Sequence, residues 1–329
     1  MKRTIYFKNK PVIIGASSIA GPKESEGSIG KFIETTLNDD MYGEETFEKA
    51  ESKMLFTAIK KATDNAHRKE TEIDTIISGD LLNQIIASTF AARNFSSGYL
   101  GIYNACATFT EGLTIGATLV DGGYMNNVVC ASSSHFSSAE RQYRYPLELG
   151  CVRPPQSQWT VTGAGACIIS TDGSGPKITA STVGRVIDYG VIDANNMGAA
   201  MAGAAADTLY THFIETGLEP DAYDLIISGD LGTLGSRILK DLTWEKGFDI
   251  EKQHVDCGEL IYNICESEYQ GGSGAGCSSV VFCSYIMERL RENKLKKILI
   301  MSTGALLSSV STQQGDSIPG IAHAVSVES

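Results

Sequence analysis

The sequence predicts an α/β protein made of two copies of one βαβαβαββ unit. Three observations carry this prediction. The string Ile-Ile-Ser-Gly-Asp-Leu occurs at Ile76–Leu81 and again at Ile226–Leu231. Each copy follows a stretch with helical spacing. Each also closes a short β-branched run without polar breaks, which suits a parallel strand buried on both faces.

The elements follow in order. Glu44–Ala66 carries Met54, Leu55, Ala58, Ile59 and Ala62, the stripe of an amphipathic helix. It leads into the first copy of the string. Tyr99–Tyr103 then reads as a strand, Cys106–Asp121 as a helix and Val128–Ser132 as a strand, followed by a long loop and strand Val161–Ser170. In the second half, Gly198–Gly217 is an alanine-rich helix with Leu209 and Phe213 on one face, and it precedes the second copy. Helix Gly274–Glu292, strand Lys297–Ser302 and a last strand near Ile318–Val327 complete it. Matching Val128-Val-Cys-Ala-Ser with Ile298-Leu-Ile-Met-Ser puts extra residues between the second string and the final helix. The halves divide as 1–174 and 175–329, packed about a pseudo-twofold axis.

A chain of 329 residues with 42% hydrophobic content can bury a large core. Its net charge of −12 argues against nucleic acid and against adsorption to an anionic membrane. No apolar run approaches the roughly 18 residues of a spanning helix. The opening MKRTIYFKNKPVIIGASS has no continuous apolar core for a signal peptide. Eight cysteines are scattered without a CxxC pair, so they read as thiols, mostly buried, in an intracellular chain. A soluble, cytoplasmic-type protein is expected.

Strand ends are where α/β folds place their chemistry. Asp80 and Asp230 therefore read either as opposite walls of one central site or as helix N-caps. Cys106 opens a helix in Tyr-Asn-Ala-Cys-Ala-Thr-Phe, where helix amides stabilise a thiolate and can cradle an oxyanion. Tyr-Gln-Gly-Gly-Ser-Gly-Ala-Gly-Cys (269–277) opens the matching helix of the second half.

A duplicated unit with a cysteine opening this helix and a glycine loop opening its twin resembles the thiolase fold of acyl-CoA thiolases and ketoacyl synthases. The resemblance implies five layers, α-β-α-β-α, with Cys106 and the Gly271–Gly276 loop facing one cavity. Further strings are GPKESEG (21–27), SGDLLNQ (78–84), SSHFSSAERQYRYP (133–146), TVGRVID (182–188), GSRILKDL (235–242), HVDCGELIY (254–262), STGALLSS (302–309) and SIPGIAHAV (317–325). On these the whole chain resembles the stage V sporulation protein AD family. That resemblance implies a component of dipicolinate uptake into the developing spore. It would be a homodimer, peripheral at the forespore inner membrane, working with the other proteins of the dipicolinate channel.

Ketoacyl synthases of the most similar type pair their cysteine with a histidine and an asparagine. Here the strand end Ile227-Ser228-Gly229-Asp230 has no histidine, and the asparagine position reads Gly272. Nothing there can act as a general base or hold an enolate. Binding without chemistry is the leading expectation. A cysteine-dependent acyltransferase on CoA or acyl-carrier thioesters is the alternative.

Dipicolinate, pyridine-2,6-dicarboxylate, is a flat aromatic dianion needing fixed cations or donors and an apolar slot. Arg141-Gln-Tyr-Arg144-Tyr145, with Arg153 beyond, is the densest local choice, and the same segment suits a dimer contact. Helix-terminus donors at Gly272 and Ser273 are the other anion candidates, and Asn83 joins them from the Asp80 loop. His135 ends a strand and points either inward or into the dimer contact. His254, Asp256 and Cys257 have metal-ligand types, but no second pair completes a zinc site. They read as pocket-facing residues or as turn and packing residues. His323 reads as core, while His67 and His212 lie in helices. No cofactor or resident metal is expected, and there is no DxDxDG calcium loop. Calcium would arrive with the ligand, its shell completed by Asp80, Asp230 or Asp256.

Overall fold

The computed structural model describes residues 2–144, 146–264 and 269–329; Tyr145 of the arginine-rich segment lies outside them. The first half contributes strands β1 (Thr4–Tyr6), β2 (Val12–Ala20), β3 (Thr35–Thr36), β4 (Thr75–Gly79), β5 (Gly98–Gly101), β6 (Asn127–Ser134), β7 (Trp159–Thr160) and β8 (Gly163–Ser170). The second contributes β9 (Lys177–Thr182), β10 (Leu225–Ser228), β11 (His254–Asp256), β12 (Gly272–Ser273), β13 (Lys297–Ala305) and β14 (Gly320–Glu328).

The duplication is visible in the strand order. One half reads β5-β4-β6-β8-β2 and the other β11-β10-β13-β14-β9, the same arrangement of corresponding strands. In each half the doubled string sits at the same place. Ile77 on β4 lies opposite Leu100 of β5 and Cys130 of β6, all parallel. Ile227 on β10 lies opposite Val255 of β11 and Ile300 of β13, also parallel. The next strand turns antiparallel in both, β8 against β6 and β14 against β13. The halves join where Val12 of β2 pairs with Lys177 of β9. A small parallel pair, β7 with β12, ties them again through Trp159–Gly272 and Thr160–Ser273.

Strand periodicity distributes the doubled string between layers. Ile77 and Ile227 point into a shared central core with Phe109, Leu113, Phe282 and Ile286 from the two central helices. Ile76 turns outward onto Met54, Leu55 and Ile59, and Ile226 turns outward onto Leu209 and Phe213. Outer helix, sheet, central helix pair, sheet and outer helix make the five layers of a thiolase-like fold. Each fully buried aliphatic or aromatic side chain contributes roughly 1.5–3 kcal/mol.

The outer helices are Phe47–Asn65, N-capped by the Thr46 hydroxyl, and Met197–Thr216, ended by Gly217 at φ +68. The central helices are Thr108–Asp121 and Ala275–Arg291, the latter containing a π turn at Phe282–Ile286. Two details differ from the sequence reading. Cys106 sits in the turn before its helix rather than inside the first turn. The extra residues of the second half lie in the longer helix Gly232–Glu245, against Ile86–Ala92 in the first, and in 257–274 between β11 and the central helix, where the first half has only 102–107 after the corresponding edge strand β5.

Candidate functional site

Cys106 is carried by a tight turn between β5 and helix Thr108–Asp121. Ala105, just before it, has φ +49, a conformation costly for a residue with a Cβ. The turn is closed by Ala107 N–H donating to Asn104 O at 3.0 Å and Thr108 Oγ1 donating to Ala105 O at 2.7 Å.

Opposite the thiol stand three groups of the second half. Asp230, at the end of β10, is fully buried. Its Oδ1 accepts from Thr303 Oγ1 at 2.7 Å and its Oδ2 from Gly274 N–H at 3.1 Å. The Cys106 S–H is placed to donate to the same carboxylate. Burial raises the Asp230 pKa to about 6, against its hydrogen bonds to Cys106, Thr303 and Gly274. Burial, then the Asp230 charge and hydrogen bond, push the Cys106 thiol well above its ordinary range; Gly274 N–H and Arg144 oppose this only partly. The thiol is protonated at neutral pH.

The thiol opens onto a narrow cleft with about 40 Å³ of room inside it. Leu81, Tyr103, Tyr143 and Leu307 give it apolar and aromatic walls. Arg144, Glu140, Thr160 and Ser273 supply polar groups. Arg144 pairs with buried Glu140 four residues earlier. Arg153 reaches the other oxygen of Glu140 at 3.3 Å, while Thr160 Oγ1 donates at 2.8 Å to the oxygen that Arg144 holds. An outer vestibule shares Tyr103, Tyr143 and Leu307 with the cleft, and at this junction the two tyrosine hydroxyls lie 3.2 Å apart.

Of the residues singled out in the sequence, Cys106, Arg144 and Ser273 line the cleft, with Asp230 behind Cys106. Asn83 lines the vestibule. The others stand elsewhere. Asp80 spends both oxygens on its own loop, accepting from Leu82 N–H at 2.8 Å and Ser88 N–H at 2.7 Å. His135 caps the next helix, its Nδ1 accepting from Ser137 N–H at 3.1 Å while Nε2 donates to Asp40 O at 2.9 Å. Arg141 lies on the outside against Glu48. Gly272 is buried in β12, its carbonyl accepting from Gln158 Nε2 at 3.1 Å. Asp256 accepts from Leu231, Gly232 and Gly258 N–H and from Ser228 Oγ. His254 Nε2 donates to the same Ser228 Oγ at 2.9 Å. Both are structural groups at the edge strand.

Sequence reasoning missed Glu140, Thr160, Thr303, Tyr103 and Met197. Only Glu140 left a usable sign, its i,i+4 spacing to Arg144. Among the described residues, no group of three or more His, Cys, Asp or Glu side chains could hold a metal ion, and no histidine lines the cleft. No helix among them is long and apolar enough to cross a membrane.

Comparison with known proteins agrees with this architecture. The chain is similar in fold to 3-oxoacyl-[acyl-carrier-protein] synthase III from Aquifex aeolicus, with a TM-score of 0.60 and 16% identity, covering 97% of this chain and 100% of that one. It is also similar to cerulenin-bound OleA of Xanthomonas campestris, with a TM-score of 0.65 and 13% identity over 99% of this chain and 100% of that one. In sequence it is 40% identical to stage V sporulation protein AD of Bacillus subtilis, over 99% of this chain and 97% of that protein. The family model for stage V sporulation protein AD matches residues 1–328. The chain belongs to the stage V sporulation protein AD family, sporulation proteins with a thiolase-like fold.

Proposed function

We propose that the chain binds dipicolinate, free or as its calcium chelate, in the Cys106 cleft and does not transform it. The observation that carries this is the pairing of Cys106 with a carboxyl group. A cysteine nucleophile needs thiolate, supplied by a base, a cation or a metal. Burial does the reverse and Asp230 adds to it, holding the proton on sulfur. An acyltransferase reading needs that charge pattern inverted. A binding site needs only donors and walls: the Arg144 guanidinium answers a carboxylate, and the Tyr103 and Tyr143 faces suit a flat ring.

In this reading the protein is the receptor component of dipicolinate uptake into the developing spore. It works beside the membrane with the other proteins of the channel. The outer loop that follows helix Phe136–Tyr143 exposes Leu149 and Val152, 63% and 92% accessible. A second copy would cover this apolar surface, and sedimentation at micromolar concentration tests the dimer. Calorimetric titration with dipicolinate, with and without Ca²⁺, tests the ligand. Saturable binding lost in a Cys106→Trp variant, which fills the cleft, is expected. Unchanged binding in that variant places the ligand elsewhere.

A further inference from the structure

Beyond the cleft lining, one buried histidine is tied to the cysteine turn from the far half of the fold. His323 lies on β14, opposite Ser302 of β13. Its Nε2 is 2.7 Å from the side-chain amide of Asn104, two residues before Cys106. Its Nδ1 accepts from Gly184 N–H at 3.1 Å. A neutral imidazole that accepts at Nδ1 carries its proton on Nε2, so Nε2–H donates, and the Asn104 amide, whose nitrogen stands nearest, is turned over to present its oxygen. Beside this link, Gly304 of β13 lets the turn lie directly on the strand. A Cβ there would stand 2.7 Å from Asn104 O and 3.1 Å from Ala107 N.

We propose that His323 is a positioning residue for Cys106: through Asn104 it holds the left-handed turn at Ala105 and so aims the thiol at Asp230 and into the cleft. The hydrogen bonds inside the turn fix its shape, but they join only residues 104–108 to one another. Asp230 and Gly274, which meet the thiol, and Thr303, which holds Asp230, all belong to the second half. Apart from the thiol's own bond to Asp230, the Asn104–His323 contact is a side-chain bond that sets the turn against that half. Ala105 supplies the reason a holding contact is needed, because a non-glycine residue at φ +49 tends to relax.

The test reads the thiol directly and does not depend on dipicolinate. Iodoacetamide is added to the full chain at pH 8, and alkylation of Cys106 is followed peptide by peptide. His323→Leu removes the donor, while His323→Gln keeps an N–H in its place. Released from Asp230, Cys106 in His323→Leu should alkylate about tenfold faster, with His323→Gln near wild type. Asn104→Ala breaks the same contact from the turn and should match His323→Leu, which covers the case where His323→Leu does not fold. The decisive arm is Ala105→Gly. Glycine adopts positive φ freely, so in that background neither substitution should change the Cys106 rate by more than about twofold.

A lower melting temperature with an unchanged Cys106 rate in both His323→Leu and Asn104→Ala overturns the proposal. So does a rate increase that Ala105→Gly leaves intact. The inference deepens the cleft reading, and dipicolinate titration of the same variants should show weaker binding in step with faster alkylation. Absence of dipicolinate binding by the wild-type chain would sink the ligand reading while leaving the alkylation result to decide this one.

Discussion

Cys106 and Asp230 meet across the seam between the two halves, thiol against carboxyl. The first comes from the turn before the central helix of one half, the second from the doubled string of the other. Burial first, and the facing acid next, suppress the thiolate, and the reactivity of Cys106 follows from both.

Asp230→Asn should therefore speed alkylation of Cys106 by iodoacetamide at pH 8, since it removes a negative charge that raises the thiol pKa. It should not create acyl transfer, because no base is gained. Wild-type protein with acetyl-CoA should turn over no faster than Cys106→Ala. An acyl-Cys106 species seen by mass spectrometry and then discharged would refute the binding-only reading.

Stability should fall on the alkaline side of neutrality. Burial above all raises Glu24 and Asp256 to about 7, Glu51 to about 8 and Asp230 to about 6. Each folded-state value exceeds the unfolded one, so the folded protein holds more protons over that interval and loses stability as pH rises through it. Buried His212, His254 and His323 act oppositely, lowered by burial to about 4, 3 and 4. They cost stability only as pH drops below their unfolded value of 6.5. The melting temperature should thus decline between about pH 6.5 and 8.5, where the histidines no longer contribute and the raised carboxyl groups of Glu24, Asp256 and Glu51 do. Glu51→Gln should flatten the upper part of that decline. A flat profile in the wild type would contradict the buried-carboxyl account.

The doubled string disclosed the fold because two strands with the same burial on both faces need the same apolar run. It disclosed less about the site. Asp80 and Asp230 are the same letter in the same string and do different work. After Asp80 the chain makes a short strap to helix Ile86–Ala92, and the carboxylate is used up on Leu82 and Ser88 N–H. After Asp230 comes the longer helix Gly232–Glu245, and Asp256 from edge strand β11 takes the Leu231 and Gly232 N–H groups. Asp230 is thereby released to turn toward Gly274, Thr303 and Cys106. The two edge strands correspond, but β11 carries Asp256 opposite Ser228 where β5 has Gly101 opposite Ser78; that exchange breaks the symmetry, and nothing within the string itself records it. Arg141 and Arg144 were likewise inseparable in sequence; helical geometry puts one against Glu48 outside and the other against Glu140 in the cleft.

Gly274→Ala should damage the site more than its size suggests. Gly274 has φ +106, and an added Cβ would come within 2.7 Å of Ser134 Oγ. Backbone strain alone costs about 1–3 kcal/mol in this nearly glycine-only region (φ +106, ψ 162), and the overlap adds to it. Relief would move the N–H that Gly274 gives to Asp230. A lower melting temperature and a changed Cys106 alkylation rate should appear together. A variant that melts like wild type would show that the loop has other room to adjust.

The two arginines supply the sharpest test of where a dianion sits. Arg144 lines the cleft, paired with a Glu140 that also holds Arg153 and Thr160. Those two contacts keep the Glu140 carboxylate supported when Arg144 is replaced, so Arg144→Gln should fold. Arg141, three residues earlier, sits outside against Glu48 and over the Phe47 ring. A charge-assisted hydrogen bond contributes roughly 1.5–3 kcal/mol. Arg144→Gln should then weaken dipicolinate binding by about tenfold to a hundredfold, at 1.4 kcal/mol per factor of ten. Arg141→Gln, at a solvent-screened pair, should change it by less than about twofold. Calorimetry on both variants separates three outcomes. Loss in Arg144→Gln alone puts a carboxylate in the cleft beside Cys106. Loss in Arg141→Gln alone moves the ligand to the outer face of the helix. Full affinity in both removes this arginine segment from the site and leaves the donors around Ser273 as the anion contacts.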